Sequence, residues 1–150
     1  MLRSPNRRPL ILLLLLLSIG AAASDTLGSQ DRFLDRRMVI TVDDLPAQRI
    51  QTLPAARSVA LTRGIVGALK HRRIPAIGFV NEDKLEIGGV VDPRRVALLE
   101  RWLDAGMELG NHVYSHPDLH HTALTEFEAG VLRGERITRP LAETRRKPFR

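Results

Sequence analysis

Apolar positions along the chain change their period several times. Met38–Val42 (MVITV) is a continuous β-branched run, as expected of a strand covered on both faces. From Ala55 to Arg73 the pattern changes: Leu61, Ile65 and Leu69 recur four residues apart with Val66 and Ala68 beside them, the stripe of an amphipathic helix. Ile74–Asn81 (IPAIGFVN) returns to a strand, and EDKLEIGG after it reads as a loop. Asp92-Pro93 then offers a side-chain acceptor at an N-cap and a ring that needs no N–H in the first turn, so a second helix starts there. Val96, Leu99 and Leu103 line one face of it, Trp102 flanks them, and Gly106 closes the C-terminal end. Met107–Asn111 is a third strand. Thr125 and Glu128 have capping-box spacing near Phe127, Val131 and Leu132, which predicts a third helix running to about Arg139 and stopped by Pro140.

The order strand, helix, strand, helix, strand, loop, helix predicts an α/β fold of parallel strands with crossover helices, because each connection between strands is long enough to hold a helix. Residues 1–23 stand apart from it. Arg3, Arg7 and Arg8 precede the apolar run Leu10–Leu17, and small residues follow to Ala21-Ala22-Ala23, the layout of a secretory signal peptide cleaved after Ala23. Leu10 to Ala23 is 14 residues and contains Ser18 and Gly20, short of the roughly 20 that span a bilayer. The expectation is an exported chain, periplasmic or extracellular, with no stable membrane span after cleavage. Residues 24–37 read as a polar lead-in and 38–150 as the domain.

Composition changes this picture in three places. With 43% hydrophobic and 27% charged residues, the 150-residue chain can build one ordinary core. Without the three leader arginines it has 20 basic against 17 acidic residues, +3 instead of +6, and much of its basicity lies in the solvated tail Arg133–Arg150. Few aromatics interleave with those charges, so nucleic acid is not an expected partner. The absence of cysteine excludes disulfides, thiolate metal sites and cysteine nucleophiles.

In such a fold, chemistry gathers at the C-terminal ends of the parallel strands. Asp43 and Asp44 follow the first strand, and their mutual repulsion calls for a positive partner. At the same end of the third strand, GNHVYSHPDLHH carries His112, His116, His120 and His121, four of the five histidines. These imidazoles answer the carboxylates if they hold a divalent metal. His112 and His116 are four apart, but Gly110 and Pro117 bracket them, which predicts a turn and not a helix. A zincin would carry glutamate after the first histidine, where Val113 stands.

TVDDLP followed by HVYSHP resembles the first two motifs of the polysaccharide deacetylase (NodB-homology) family; ERWLDAGMELGNHVYSHPDL is similar to the helix and strand around the second, and KPFR to the start of the third. The resemblance covers the chain from about Met38 onward. It implies a distorted TIM-like (β/α) barrel and metal-assisted removal of N-acetyl or O-acetyl groups from a polysaccharide or amino sugar. It also implies Asp44, His112 and His116 as ligands of a divalent metal, expected to be Zn2+, with Asp43 as catalytic base and Arg150 beside Asp43, tuning it.

Three departures qualify the match. Leu45 stands where the family has glycine and is expected to narrow the loop beside the substrate. Val113 replaces a hydroxyl residue and is expected to remove a hydrogen bond behind a metal ligand. The later motifs, including the histidine that protonates the leaving amine, have no counterpart, and His71, His120 and His121 are poor substitutes. The chain therefore reads as an incomplete barrel, a truncated N-terminal part of the domain, with weak or absent turnover. Two rivals remain open: a noncatalytic glycan- or metal-binding remnant, and a receiver-like magnesium-binding α/β domain. The plainest alternative is an exported α/β domain whose acids and histidines only face water.

Overall fold

The structure, a computed structural model, describes residues 37–150. The expected signal peptide, and all but the last residue of the lead-in, lie outside the described residues. The body of the fold is Val39–Arg150. Three parallel strands, β1 (Ile40–Leu45), β2 (Ala76–Val80) and β5 (Glu108–Asn111), form a sheet in the order β1-β2-β5. Helix α1 (Ala55–His71) connects the first pair and α2 (Pro93–Asp104) precedes β5. Strand order advances in one direction, so right-handed crossovers place both helices on the same face of the sheet, where they pack together. That is the arrangement of an incomplete (β/α) barrel, and the expected fold class holds. Phe149 bridges Leu109 in parallel on the outer side of β5, with Arg150 N–H donating to Leu109 O and Asn111 N–H to Arg150 O.

The core lies between sheet and helices. Trp102, Leu99 and Leu103 of α2 pack on Val80, Met107 and Leu109, and the Trp102 indole N–H donates to Glu108 O at 2.8 Å. Gly78 permits this closeness. A Cβ there would come within 2.2 Å of Leu45 Cδ1 and 3.0 Å of the Trp102 ring. Helix α2 starts as expected, with Asp92 accepting from Arg94 N–H at 2.9 Å. It ends on Gly106 at φ +97°, whose N–H bonds Leu103 O while Met107 N–H bonds Trp102 O.

Other elements differ from the sequence pattern for identifiable reasons. Strand β1 begins at Ile40, not Met38, and extends to Leu45, so both aspartates belong to it. It is also alternately covered instead of buried on both faces, Ile40 and Val42 packing against the core while Thr41 and Asp43 are exposed. Helix α1 turns Ser58, Thr62 and Val66 inward while Leu61 is left exposed. EDKLEIGG is not a plain loop: Glu82–Leu85 is a 3-10 turn, and β3 (Glu86–Ile87) pairs with β4 (Val90–Val91) in a short hairpin. The third helix divides into α3 (Leu124–Arg133) and α4 (Thr138–Thr144). Thr125 lies inside α3 and does not cap it, and Pro140 lies in the first turn of α4, where its missing N–H costs nothing. Among the described residues, no helix is long and apolar enough to cross a membrane.

Candidate metal centre

At the C-terminal end of β1, the register runs from Val42 opposite Gly78 to Leu45 opposite Val80, three steps against two. The extra residue is a β-bulge across Asp43 and Asp44, and Asp44 enters the left-handed region at φ +64°. A bulge re-aims side chains at a strand end, which alternation along the sequence does not reveal. Asp43 is exposed, with no hydrogen bond or ion pair among the described residues. Leu45 does not face a substrate loop, contrary to expectation. It is 6% exposed and packs into the core over Gly78.

At the end of β5, the chain forms a turn and not a helix, as Gly110 and Pro117 suggest. Val113 at φ +62° and His116 at φ +54° are both left-handed. Four contacts secure the turn. His112 N–H donates to Val80 O at 3.0 Å, Val113 N–H to Asn111 Oδ1 at 2.8 Å, and Tyr114 N–H to Gly130 O at 3.1 Å in the last turns of α3. Asp83 N–H reaches Tyr114 O at 3.1 Å. Gly134 leaves room, since a Cβ there would come within 2.8 Å of both Asn111 Oδ1 and Tyr114 N.

Together, bulge and turn bring Asp44, His112 and His116 to one place: a carboxylate oxygen and one nitrogen from each ring lie within 4.8 Å of one another. The rings of His112 and His116 meet edge to face, 4.7 Å between centroids. One carboxylate and two imidazoles form a donor set suited to zinc and its neighbours, which leaves positions open for water and substrate. Around a tetrahedral ion with bonds of about 2.1 Å, donor atoms stand roughly 3.4 Å apart, so side-chain adjustments on the order of 1 Å close the site. The residues fit a divalent cation.

Two residues missed at the sequence level complete the centre. Lys84 Nζ donates to Asp44 Oδ1 at 2.7 Å and to Asn81 Oδ1 at 2.9 Å. Asn81, fully buried, donates through Nδ2 to His112 O at 2.7 Å and Val113 O at 3.1 Å. The Lys84 hydrogen bond, foremost among the causes, holds the Asp44 carboxyl below its ordinary value against the opposing effect of burial. The positive partner that the Asp pair calls for is thus, in part, an ordinary lysine. Of the two, Asn81 carries a signal in the sequence, standing one residue past β2 and level with the ends of the other two strands, whereas Lys84 within EDKLEIGG carries none.

The remaining candidates lie apart. Arg150 does not pair with Asp43; its guanidinium bonds Glu108, Nε to Oε2 at 2.7 Å. Glu108 opens β5 and is the nearer carboxylate to a segment that runs alongside that strand. His71 ends α1, away from the strand ends that carry the metal donors. His121 Nδ1 is 2.7 Å from Asp118 Oδ2 on the surface, and His120 is exposed.

A family model described as "Polysaccharide deacetylase" matches residues 30–150. Among solved structures, the peptidoglycan deacetylase PdaC from Bacillus subtilis is similar at 25% identity and a TM-score of 0.52, over 70% of this chain and 43% of that one. A family 4 carbohydrate esterase from Streptomyces lividans, solved with acetate, shares the fold at 18% identity and a TM-score of 0.53, over 72% and 46%. BA3943, a family 4 pseudoenzyme from Bacillus anthracis, does so at 18% and 0.52, over 71% and 32%. The chain therefore spans less than half the length of these structures. A search of curated proteins found no match.

Proposed function

The chain belongs to the polysaccharide deacetylase family, and from that premise we propose that it is a metal-dependent hydrolase removing acetyl groups from an acylated polysaccharide or amino sugar outside the cytoplasm. The observation that carries the proposal is the convergence of Asp44, His112 and His116 within 4.8 Å at the C-terminal edge of a parallel sheet. A bound cation, Zn2+ by its donor set, supplies Lewis acidity, lowering the pKa of a water and polarising the acyl oxygen. Every other task falls to side chains. Asp44, His112 and His116 hold the cation, and Lys84 keeps the Asp44 carboxylate ionised and oriented. Asp43, exposed and with no partner among the described residues, takes a proton on its carboxylate as water attacks the acyl carbon. The protonated Asp43 carboxyl then gives that proton to the departing nitrogen, the C–N bond breaks, and acetate and a free amine are released. The leader-like residues 1–23 support action outside the cytoplasm, where such glycans are met.

The test is acetate release from N-acetylated glycan oligomers, with and without added zinc. Zinc-dependent release, weak as the sequence leads one to expect and lost in Asp43→Asn, supports the hydrolase. Zinc binding with no release from any acetylated glycan overturns it in favour of a noncatalytic metal-binding domain.

A further inference from the structure

We infer that Asn81 is a positioning residue for the metal centre, tying the backbone of the His112–Val113 turn to the ammonium that holds Asp44. The inference rests on the metal reading above.

The amide uses both of its ends. Its nitrogen donates to two carbonyls, His112 O at 2.7 Å and Val113 O at 3.1 Å, and its oxygen accepts from Lys84 Nζ at 2.9 Å, which donates in turn to Asp44 Oδ1 at 2.7 Å. The chain of contacts runs from the first strand end, across the second, to the third. Asn81 is 0% exposed and Lys84 9%, so the bonds that meet at the Asn81 amide are largely shielded from water. The chemistry is specific to an amide of this length: aspartate would set an oxygen against two carbonyl oxygens, and an apolar residue would leave two carbonyls and an ammonium short of partners.

The turn needs such a hold. Val113 is β-branched and sits at φ +62°, and His116, a metal donor, sits at φ +54°. Residues of this kind stay left-handed only where their surroundings over-determine them. Asn81 grips the peptides on both sides of Val113, and so fixes where the chain leaves His112 and re-enters toward His116. Lys84 holds one Asp44 oxygen and leaves the other for a cation. One buried side chain thus links the lysine that holds Asp44 to the turn that carries both imidazoles.

The experiment uses the full chain with Asn81→Asp and Asn81→Ala, titrated with zinc in a calorimeter and with cobalt(II) by visible absorption. The expected result is a loss of about 10–100-fold in affinity and an altered cobalt band, with native circular dichroism. Val113→Gly in the Asn81→Ala background recovers part of the loss, because glycine adopts the left-handed turn unaided. A readout without substitution covers variants that fail to fold: the Asn81 side-chain NH2 resonances are expected to resist exchange with water and to shift when zinc is added. Wild-type affinity and an unchanged cobalt band in folded Asn81 variants overturn the role, as does an Asn81 amide that ignores zinc. Should the unsubstituted chain bind no zinc, the metal reading fails and this inference with it; should it bind and the variants match it, only the inference fails.

Discussion

Lys84 Nζ lies 2.7 Å from Asp44 Oδ1, with the two side chains 11% and 27% exposed. The pair is partly shielded from water and is tied into a hydrogen-bonded network, unlike surface ion pairs of little consequence. The Asp44 pKa lies below 3.8 in the fold, foremost through this hydrogen bond. Its contribution to stability is therefore present above 3.8 and lost as pH falls through the lower folded value. Lys84→Met is expected to raise the Asp44 pKa in the metal-free protein, read by carbon-detected carboxyl titration. The stability gap between the two proteins should shrink on acidification below about pH 4. An unmoved Asp44 titration would contradict the assignment.

Glu82 is 1% exposed, and its Oε1 accepts from Ile137 N–H, Thr138 N–H and Thr138 Oγ1 at 2.8, 2.6 and 2.7 Å. The carboxylate of the 3-10 turn thus caps α4, far away in sequence, where negative charge is favoured. Glu82→Gln is expected to cost about 1–3 kcal/mol in urea unfolding. A change inside experimental error would show that the charge at this cap is immaterial.

Gly78→Ala places a methyl group between Leu45 and Trp102. A loss of about 1–3 kcal/mol is expected from overpacking. Because Leu45 follows Asp44 directly, weaker zinc binding is expected alongside. Calorimetry and thermal unfolding on the same variant check both, and unchanged values for both would mean that the core yields without moving the bulge.

Asp43→Asn separates binding from chemistry. It is expected to leave zinc affinity near wild type, since Asp43 is outside the donor set, while acetate release falls by about 100-fold or more. Equal losses in affinity and release would place Asp43 on the metal instead.

Much of this architecture was legible in the sequence. The β2, α2 and β5 segments were marked by apolar runs, by the Asp92-Pro93 start and by Gly106, and the fold class followed from their order. That the Asp43-Asp44 pair and the histidines after β5 share one end of the sheet followed from strand ends facing one way, and the choice of Asp44, His112 and His116 among them came from the family resemblance. The bulge at Asp43-Asp44 was not legible, because an extra residue against a neighbouring strand exists only once the two are paired. Lys84 was hidden in a stretch that reads as polar loop, and its buried ammonium is explained only by the Asn81 oxygen three residues back and the Asp44 oxygen brought from another strand end. Leu45 was misjudged because its direction depends on that same bulge. The division of α3 from α4 depends on the distant Glu82, which starts a new helix where continuous periodicity suggested one.

The central claim is that Asp44, His112 and His116 hold one divalent cation. Zinc titration of the full chain by calorimetry tests it most directly. One ion is expected to bind per chain, and binding should be lost in Asp44→Ala, His112→Ala and His116→Ala and kept in His71→Ala. Zinc affinity that is the same in all four variants, or absent from the unsubstituted chain, would contradict it.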